Sequence, residues 1–179
     1  MFRILLVIPS NGSYIHVFPM GAAYIASALR NAGHKVVIYN QDQYHYLESH
    51  LTEYLDQNHF DIVGLGIQGG YYQYKKLLSI SNAINKCSRR PIYILGGHCA
   101  SPEPEYFLRK THVDIVVIGE GEKTIVELLW AIQNGYHLSD IDGLAFMQGD
   151  KCIITKKREP IADLDTIPYP AWDLFPMDY

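Results

Sequence analysis

The sequence predicts an α/β domain of the flavodoxin-like (Rossmann-type) class, a five-stranded parallel sheet with helices on both faces. Three observations carry that prediction. Short β-branched apolar runs alternate with helical stretches five times along the chain, the signature of βα units. Each run is strand-length and apolar throughout, as expected of a strand buried on both sides. Glycines gather just after four of the five runs.

Each element has its own local justification. The first strand, 3–8, is an apolar run of the length expected for a strand buried on both sides. The helix at 20–32 carries Ala22, Ala23, Ala26 and Ala28, small enough for close packing on a sheet, and Gly33 ends it as a C′ glycine. The second strand, 35–40, leads to a helix at 43–57 with Leu47, Leu51, Tyr54 and Leu55 at helical spacing. The third strand, 61–66, precedes a helix at 72–86 bearing Leu77, Leu78, Ile80, Ala83 and Ile84. The fourth, 91–95, precedes a short helix at 103–110. The fifth, 114–118, precedes a helix at 122–134 bearing Ile125, Leu128, Leu129 and Ile132. Strand order 2-1-3-4-5 is the expected arrangement for a sheet of this size.

Past residue 134 the pattern changes. Runs at 141–147 and 151–155 flank the turn Gln148-Gly149-Asp150 and read as a β-hairpin. Residues 156–179 hold Pro160, Pro168, Pro170 and Pro176, which exclude regular helix. The same stretch carries Trp172, Leu174 and Phe175, more apolar surface than a free tail would show. The expected organisation is an α/β domain over 1–140, then a hairpin and proline-rich connector over 141–179.

Composition narrows the function classes. At 179 residues, 48% hydrophobic and 19% charged, the chain has the make-up of an ordinary globular domain, not a disordered, fibrous or disulfide-framed one. A formal net charge of -4 supplies no basic footprint for nucleic acid. The apolar runs fall far short of the ~20 residues a membrane helix needs, and the first residues read as a strand rather than a signal peptide. Cys87, Cys99 and Cys152 are odd in number and far apart, a usage that fits a reducing cytoplasm.

Ligands of open α/β sheets bind outside the carboxyl ends of the strands, so the loops after strands one, three, four and five form one candidate surface. Eight of the fourteen glycines lie there: Gly12, Gly66, Gly69, Gly70, Gly96, Gly97, Gly119 and Gly121. Glycine lets a backbone approach a ligand closely, and four such loops at one end of the sheet suit a large ligand lying across it. The candidate contacts in the first loop are Asn11, Ser13 and His16, with Met20 opening the next helix. In the third-strand loop they are Gly66, Gln68, Gly69 and Tyr71, with Tyr72 beside them. In the fourth they are Gly96, Gly97, His98, Ala100 and Ser101, with Cys99 read as a packing residue. In the fifth they are Gly119, Glu120, Gly121 and Glu122. Glu120, between two glycines, reads as a hydrogen-bond acceptor for a ligand. Glu122 also suits the positive end of a helix.

Several motifs are set aside. Gly64-Leu-Gly66-Ile-Gln-Gly69 matches G-x-G-x-x-G, but a dinucleotide fingerprint follows the first strand, and here Gly64 falls inside the third. There is no P-loop sequence. The first strand ends in Pro9-Ser10-Asn11 rather than the acidic residues of a phosphoacceptor receiver domain. The Ser/Asn/Gly-rich first loop could cradle a phosphate, so a flavodoxin-like flavin mononucleotide protein stands as the alternative.

Taken in order, these segments resemble the N-terminal cobalamin-binding domain of cobalamin-dependent radical S-adenosylmethionine enzymes. The resemblance rests on Pro19-Met20-Gly21-Ala22-Ala23-Tyr24, on Gly96-Gly97-His98-Cys99-Ala100-Ser101-Pro102-Glu103, and on Gly119-Glu120-Gly121-Glu122. It continues through Ile141-Asp142-Gly143-Leu144 and Asp165-Thr166-Ile167-Pro168-Tyr169-Pro170-Ala171-Trp172, so it covers nearly the whole chain. It implies a corrin over the strand tips, with the nucleotide tail passing the loops at Gly66–Gly70 and Gly96–Gly97. A bulky residue at Gly97 is then expected to block the tail and leave the fold intact.

Two departures matter. The methionine-synthase type of cobalamin domain carries Asp-x-His-x-x-Gly, absent here; His16, followed by Val17-Phe18-Pro19, is the nearest imidazole and a poor match for an axial ligand. Family members tend to carry Ser or Thr in the third-strand loop, where this chain has Gly66, Gln68 and Gly69. The resemblance also implies that the iron–sulfur cluster and S-adenosylmethionine are held by a C-terminal radical domain of the same parent chain. Cys87, Cys99 and Cys152 are too scattered to hold a cluster, so this chain is not expected to be catalytic alone. The parent is expected to be a methyltransferase or a cyclase-like enzyme, while a non-catalytic cobalamin-sensing module is the other alternative.

Overall fold

The computed structural model describes residues 1–12 and 17–176. The elements run β1 (Arg3–Ile8), α1 (Met20–Asn31), β2 (Lys35–Asn40), α2 (Gln41–Tyr44), α3 (Glu48–Gln57), β3 (Ile62–Gly66) and α4 (Tyr71–Lys86). They continue with β4 (Ile92–Gly96), α5 (Pro104–Thr111), β5 (Ile115–Val117), α6 (Gly121–Asn134), β6 (Leu144–Gln148) and β7 (Lys151–Ile154). The seven strands form one sheet of order β2-β1-β3-β4-β5-β6-β7. The first five strands are parallel in the expected 2-1-3-4-5 order.

Two strands more than expected belong to the sheet. The hairpin does not stand apart: β6 runs antiparallel to β5, pairing Ile115 with Phe146 and Val117 with Leu144, and β7 closes the edge. The reason is the edge itself. β5 alone would leave a row of unpaired backbone groups over a hydrophobic strand, and the hairpin covers it.

Period-two alternation splits the sheet between two cores. Leu5 and Val7 face one way with Val63, Leu65, Tyr93 and Leu95, under α3, α4 and α5. Ile4 and Leu6 face the other way with Ile62, Ile94, Ile115 and Val117, under α1 and α6. Tyr93, fully buried, meets the Ser81 hydroxyl at 2.9 Å, which satisfies both polar atoms inside the first core. Burial drives the Tyr93 phenol well above its ordinary pKa. Gly64 lies inside β3, where an added Cβ would come within 2.7 Å of Leu6 Cδ2. It is a packing glycine, not part of a nucleotide fingerprint.

The single helix expected at 43–57 is two helices. The Asn40 side chain accepts from Gln43 N at 3.1 Å and starts α2 straight off the strand. His45 then takes the left-handed conformation at φ 52°, and Gln41 Nε2 donates to the Tyr46 carbonyl at 2.7 Å. Leu47, expected in the apolar stripe, is 71% exposed. Residues 156–176 carry only two single 3₁₀ turns, Leu164–Thr166 and Trp172–Leu174, in keeping with their prolines. Among the described residues no helix is long and apolar enough to cross a membrane.

Candidate functional site

The parallel strands deliver the loops after β1, β3, β4 and β5 to one end of the sheet, and their glycines divide into two kinds. An added Cβ at Gly66, Gly69, Gly70 or Gly119 would meet nothing within 4 Å, so these positions face open space. Gly96 is nearly as open, its first neighbours 3.8 Å and 3.9 Å away on Val117. The result is a floor of bare backbone, with Gln68 and Tyr71 exposed beside it. Gln73, on the first turn of α4, orders the floor by accepting from Gln68 N at 3.3 Å and Gly69 N at 3.1 Å.

The other glycines are held by the protein itself. Gly97 has φ +96°, and an added Cβ would run into the backbone of Ile67, 2.9 Å from its nitrogen. Two hydrogen bonds lock that contact: Ile67 N donates to the Gly96 carbonyl at 3.1 Å, and Cys99 N donates to the Ile67 carbonyl at 3.2 Å. A bulky residue at Gly97 therefore cannot leave the fold intact, because it displaces main chain, not a ligand. Gly121 sits against α1, with Ile25 Cδ1 at 2.9 Å from an added Cβ. Gly12 is covered by the ring of Tyr72, which pins the first loop to α4.

The polar candidates fare differently from one another. Ser101 knits two loops: its hydroxyl donates to the Gly97 carbonyl at 3.1 Å and accepts from Gly119 N at 3.1 Å. Ala100 is completely buried beneath that turn. His98 is exposed at its crest. Glu120 Oε2 accepts from Ile161 N at 2.6 Å, so its carboxylate holds the proline-rich segment. Glu122 lies in the first turn of α6 and lines a groove of about 550 Å³ between α1, α6 and residues 166–168, to one side of the tips. Met20 opens α1 and is 42% exposed. Ser13 and His16 lie outside the described residues.

Asn11 is tied to Asp42, a residue the sequence reading passed over. Asp42 Oδ1 accepts from Asn11 N at 2.7 Å, and Oδ2 accepts from Asn11 Nδ2 at 3.3 Å. Gly12 N in turn donates to the Ser10 hydroxyl at 3.3 Å. Thirty-one positions separate Asn11 from Asp42, and no local pattern announces such a pair. Gln73 was the more legible omission, since a Gln just inside a helix often reaches back to loop N–H groups ahead of it.

The arrangement suits a broad, neutral ligand that lies close to main chain. An exposed backbone floor offers close approach without a formal charge, its Gly69 and Gly119 amides being already given to Gln73 and Ser101. A phosphate cradle needs N–H groups pointing at an anion, whereas the Asn11 amide is already given to a carboxylate. Among the described residues no three His, Cys, Asp or Glu side chains converge to hold a metal ion.

Comparison with known proteins identifies the family. The B12 binding domain family matches residues 12–129. An uncharacterised methyltransferase, PH0819, of Pyrococcus horikoshii is 32% identical over 99% of this chain and 40% of its own length. The anaerobic magnesium-protoporphyrin IX monomethyl ester cyclase of Rubrivivax gelatinosus is 29% identical over 87% of this chain and 29% of its own. Among solved structures, the cobalamin-dependent S-adenosylmethionine radical enzyme OxsB, with aqua-cobalamin and S-adenosylmethionine bound, superposes with a TM-score of 0.79 over 97% of this chain. It is 19% identical, and this chain covers 24% of it. The radical S-adenosylmethionine methyltransferase TsrM of Kitasatospora setae, with cobalamin and a [4Fe-4S] cluster bound, gives 0.73 at 19% identity, over 94% of this chain and 31% of its own. The chain thus spans well under half the length of these relatives. Its parallel sheet, its bare strand tips and the family match together place this chain in the B12 binding domain family.

Proposed function

We propose that this domain holds cobalamin over the carboxyl ends of β1, β3, β4 and β5 on behalf of a larger radical S-adenosylmethionine enzyme. The open floor made by Gly66, Gly69, Gly70, Gly96 and Gly119 is the observation that carries the reading. No side chain rises from those glycines, and a corrin needs a wide, uncharged seat that it can approach closely. Gln68 and His98 supply polar side chains at the margin, and Tyr71 an aromatic face. Bound there, cobalamin would supply a cobalt–carbon bond from which a methyl group can be delivered.

In this reading the iron–sulfur cluster and S-adenosylmethionine belong to another domain of the parent chain. Methyl transfer is the first expectation, supported by the P. horikoshii relative and the TsrM fold. Cyclase-type chemistry is supported by the R. gelatinosus relative.

The test is direct. The purified chain is mixed with hydroxocobalamin, desalted, and its visible spectrum recorded; about one equivalent retained is the expected result. A His16→Ala chain should give the same spectrum, and a changed spectrum would make that imidazole an axial ligand. If cobalamin washes out while flavin mononucleotide is retained, the cobalamin reading is wrong and the flavin one replaces it.

A further inference from the structure

We infer that Glu120 is a latch joining the ligand-bearing strand tips to the proline-rich segment 156–176, so that occupancy of the tips and docking of that segment favour each other. The inference rests on the cobalamin reading for the identity of the ligand, but its mechanical part comes from this chain alone. Glu120 sits between Gly119, on the open floor, and Gly121, pressed against α1. Its backbone carbonyl accepts from Thr124 Oγ1 at 3.2 Å. Its side chain reaches outward to accept from Ile161 N at 2.6 Å. One residue thus belongs to the floor through its main chain and to the segment through its carboxylate.

Beyond Arg158 the segment is anchored at few points, and the anchor that follows Ile161 returns to the same end of the sheet. Ile161, Pro170, Ala171 and Phe175 are buried, while Leu164 and Tyr169 stand 66% and 90% exposed between Ile161 and Pro170. Ala171 N donates to the Ala23 carbonyl at 3.0 Å. Arg30 pairs with Asp173 at 2.8 Å on the surface. Trp172 and Phe175 close on Phe18, with ring centroids 4.5 Å and 5.0 Å away. Phe18 leads into α1 from the loop after β1. The segment therefore touches the tips at both flanks, through Glu120 beside β5 and through Phe18 beside β1.

A strap with few buried anchors opens locally at low cost. A ligand seated on Gly119 adds to the restraint that Ser101 already places there, steadies the origin of the Glu120 side chain further, and raises the probability that Ile161 N finds its acceptor. By linkage the docked segment must then tighten the ligand by the same factor. The chain leaving the domain would in this way report whether the seat is filled.

Hydrogen exchange read by mass spectrometry tests this on the intact chain. Saturating hydroxocobalamin should slow exchange of peptides covering Ile161 and residues 171–175 by at least threefold. Glu120→Ala should speed exchange at Ile161 by about tenfold, the loss of one charge-assisted hydrogen bond, and raise the Kd for hydroxocobalamin. Glu120→Gln, whose amide oxygen still accepts, should restore most of both. Bound cobalamin with no change in exchange at Ile161 would overturn the latch and leave the cofactor reading standing. Failure to bind cobalamin at all would remove both. The measurement on the native chain stands even if the alanine variant does not fold.

Discussion

Gly97→Ala should destabilise the domain severely, and Gly66→Ala should barely disturb it, although both are glycines at adjacent strand tips. Gly97 has φ +96°, outside the comfortable range of any L side chain, and its added methyl would collide with the Ile67 peptide. Main chain cannot rotate aside as a side chain can. Displacing it weakens the hydrogen bonds from Ile67 N to the Gly96 carbonyl and from Cys99 N to the Ile67 carbonyl, each contributing about 1 kcal/mol. Backbone strain adds roughly 1–3 kcal/mol. The expected loss is about 3–5 kcal/mol, a large part of the roughly 5–15 kcal/mol that holds a typical domain together. Gly66 has no positive φ, and its added methyl meets nothing within 4 Å; about 0.5 kcal/mol either way is expected there. Urea unfolding followed by the fluorescence of Trp130 and Trp172 reads both variants as shifts in midpoint at constant slope. The functional half of the contrast is Gly66→Trp, which should keep the native midpoint and lose retention of hydroxocobalamin. A Gly97→Ala domain within about 1 kcal/mol of the native one would refute the packing argument. A Gly66→Trp domain that retained a full equivalent of cobalamin would move the ligand off this floor.

Three further outcomes follow from other parts of the molecule. His34 is buried, its Nδ1 accepts from Phe2 N at 3.1 Å, and desolvation with the nearby amino terminus lowers its pKa below the ordinary 6.5. The folded state then binds fewer protons than the unfolded one, so this stabilisation is present above pH 6.5 and is lost as pH falls through the lowered value. Urea midpoints at a series of pH values should show the loss, and His34→Gln should flatten it. Tyr93→Phe leaves the buried Ser81 hydroxyl without its phenol partner and should cost about 1–2 kcal/mol. The double variant with Ser81→Ala should recover part of that in a double-mutant cycle. Asp42→Ala removes the carboxylate that accepts from Asn11 N and should speed amide exchange at Asn11 by tenfold or more; unchanged exchange would detach Asp42 from the ordering of that loop.

What the sequence made legible follows from the range of the forces involved. The five parallel strands are local objects, each written in its own apolar run, and β1 (Arg3–Ile8) and β2 (Lys35–Asn40) agree with expectation to the residue. Their order follows from a general preference of small α/β sheets and needs no particular contact. The hairpin was legible as a hairpin, but its pairing with β5 depends on an edge created by the rest of the fold. The break in the helix before Glu48 turns on Gln41 Nε2 capturing the Tyr46 carbonyl, which competes with a helical stripe that Leu47 merely imitates. At the strand tips, the presence of glycine was readable and its reason was not. Gly66 and Gly97 look alike in one dimension; only the position of Ile67, thirty residues away from Gly97, makes one an open seat and the other a packing necessity.

The hairpin and the proline-rich segment also bear on how the fifth loop could serve the proposed site. In a bare five-stranded sheet the tip of β5 would lie at an unpaired edge, where a loop of two glycines would fray. Here Ile118 N donates to the Gly143 carbonyl at 2.8 Å, and Gly143 N donates to the Lys156 carbonyl at 2.8 Å. Leu144 N finds the Thr155 hydroxyl at 2.9 Å. The base of the hairpin therefore clamps the residue just before Gly119, while Ser101 holds the Gly119 amide from the β4 side. Gly119 keeps its open face between two fixed neighbours. Arg158 extends the clamp by pairing with Glu127 on α6 and donating to the Asp142 carbonyl, which sets the chain on course for Ile161 and the Glu120 carboxylate. The antiparallel strands thus support the proposed site, and removing residues 141–176 should cost cobalamin retention even though every residue of the floor remains.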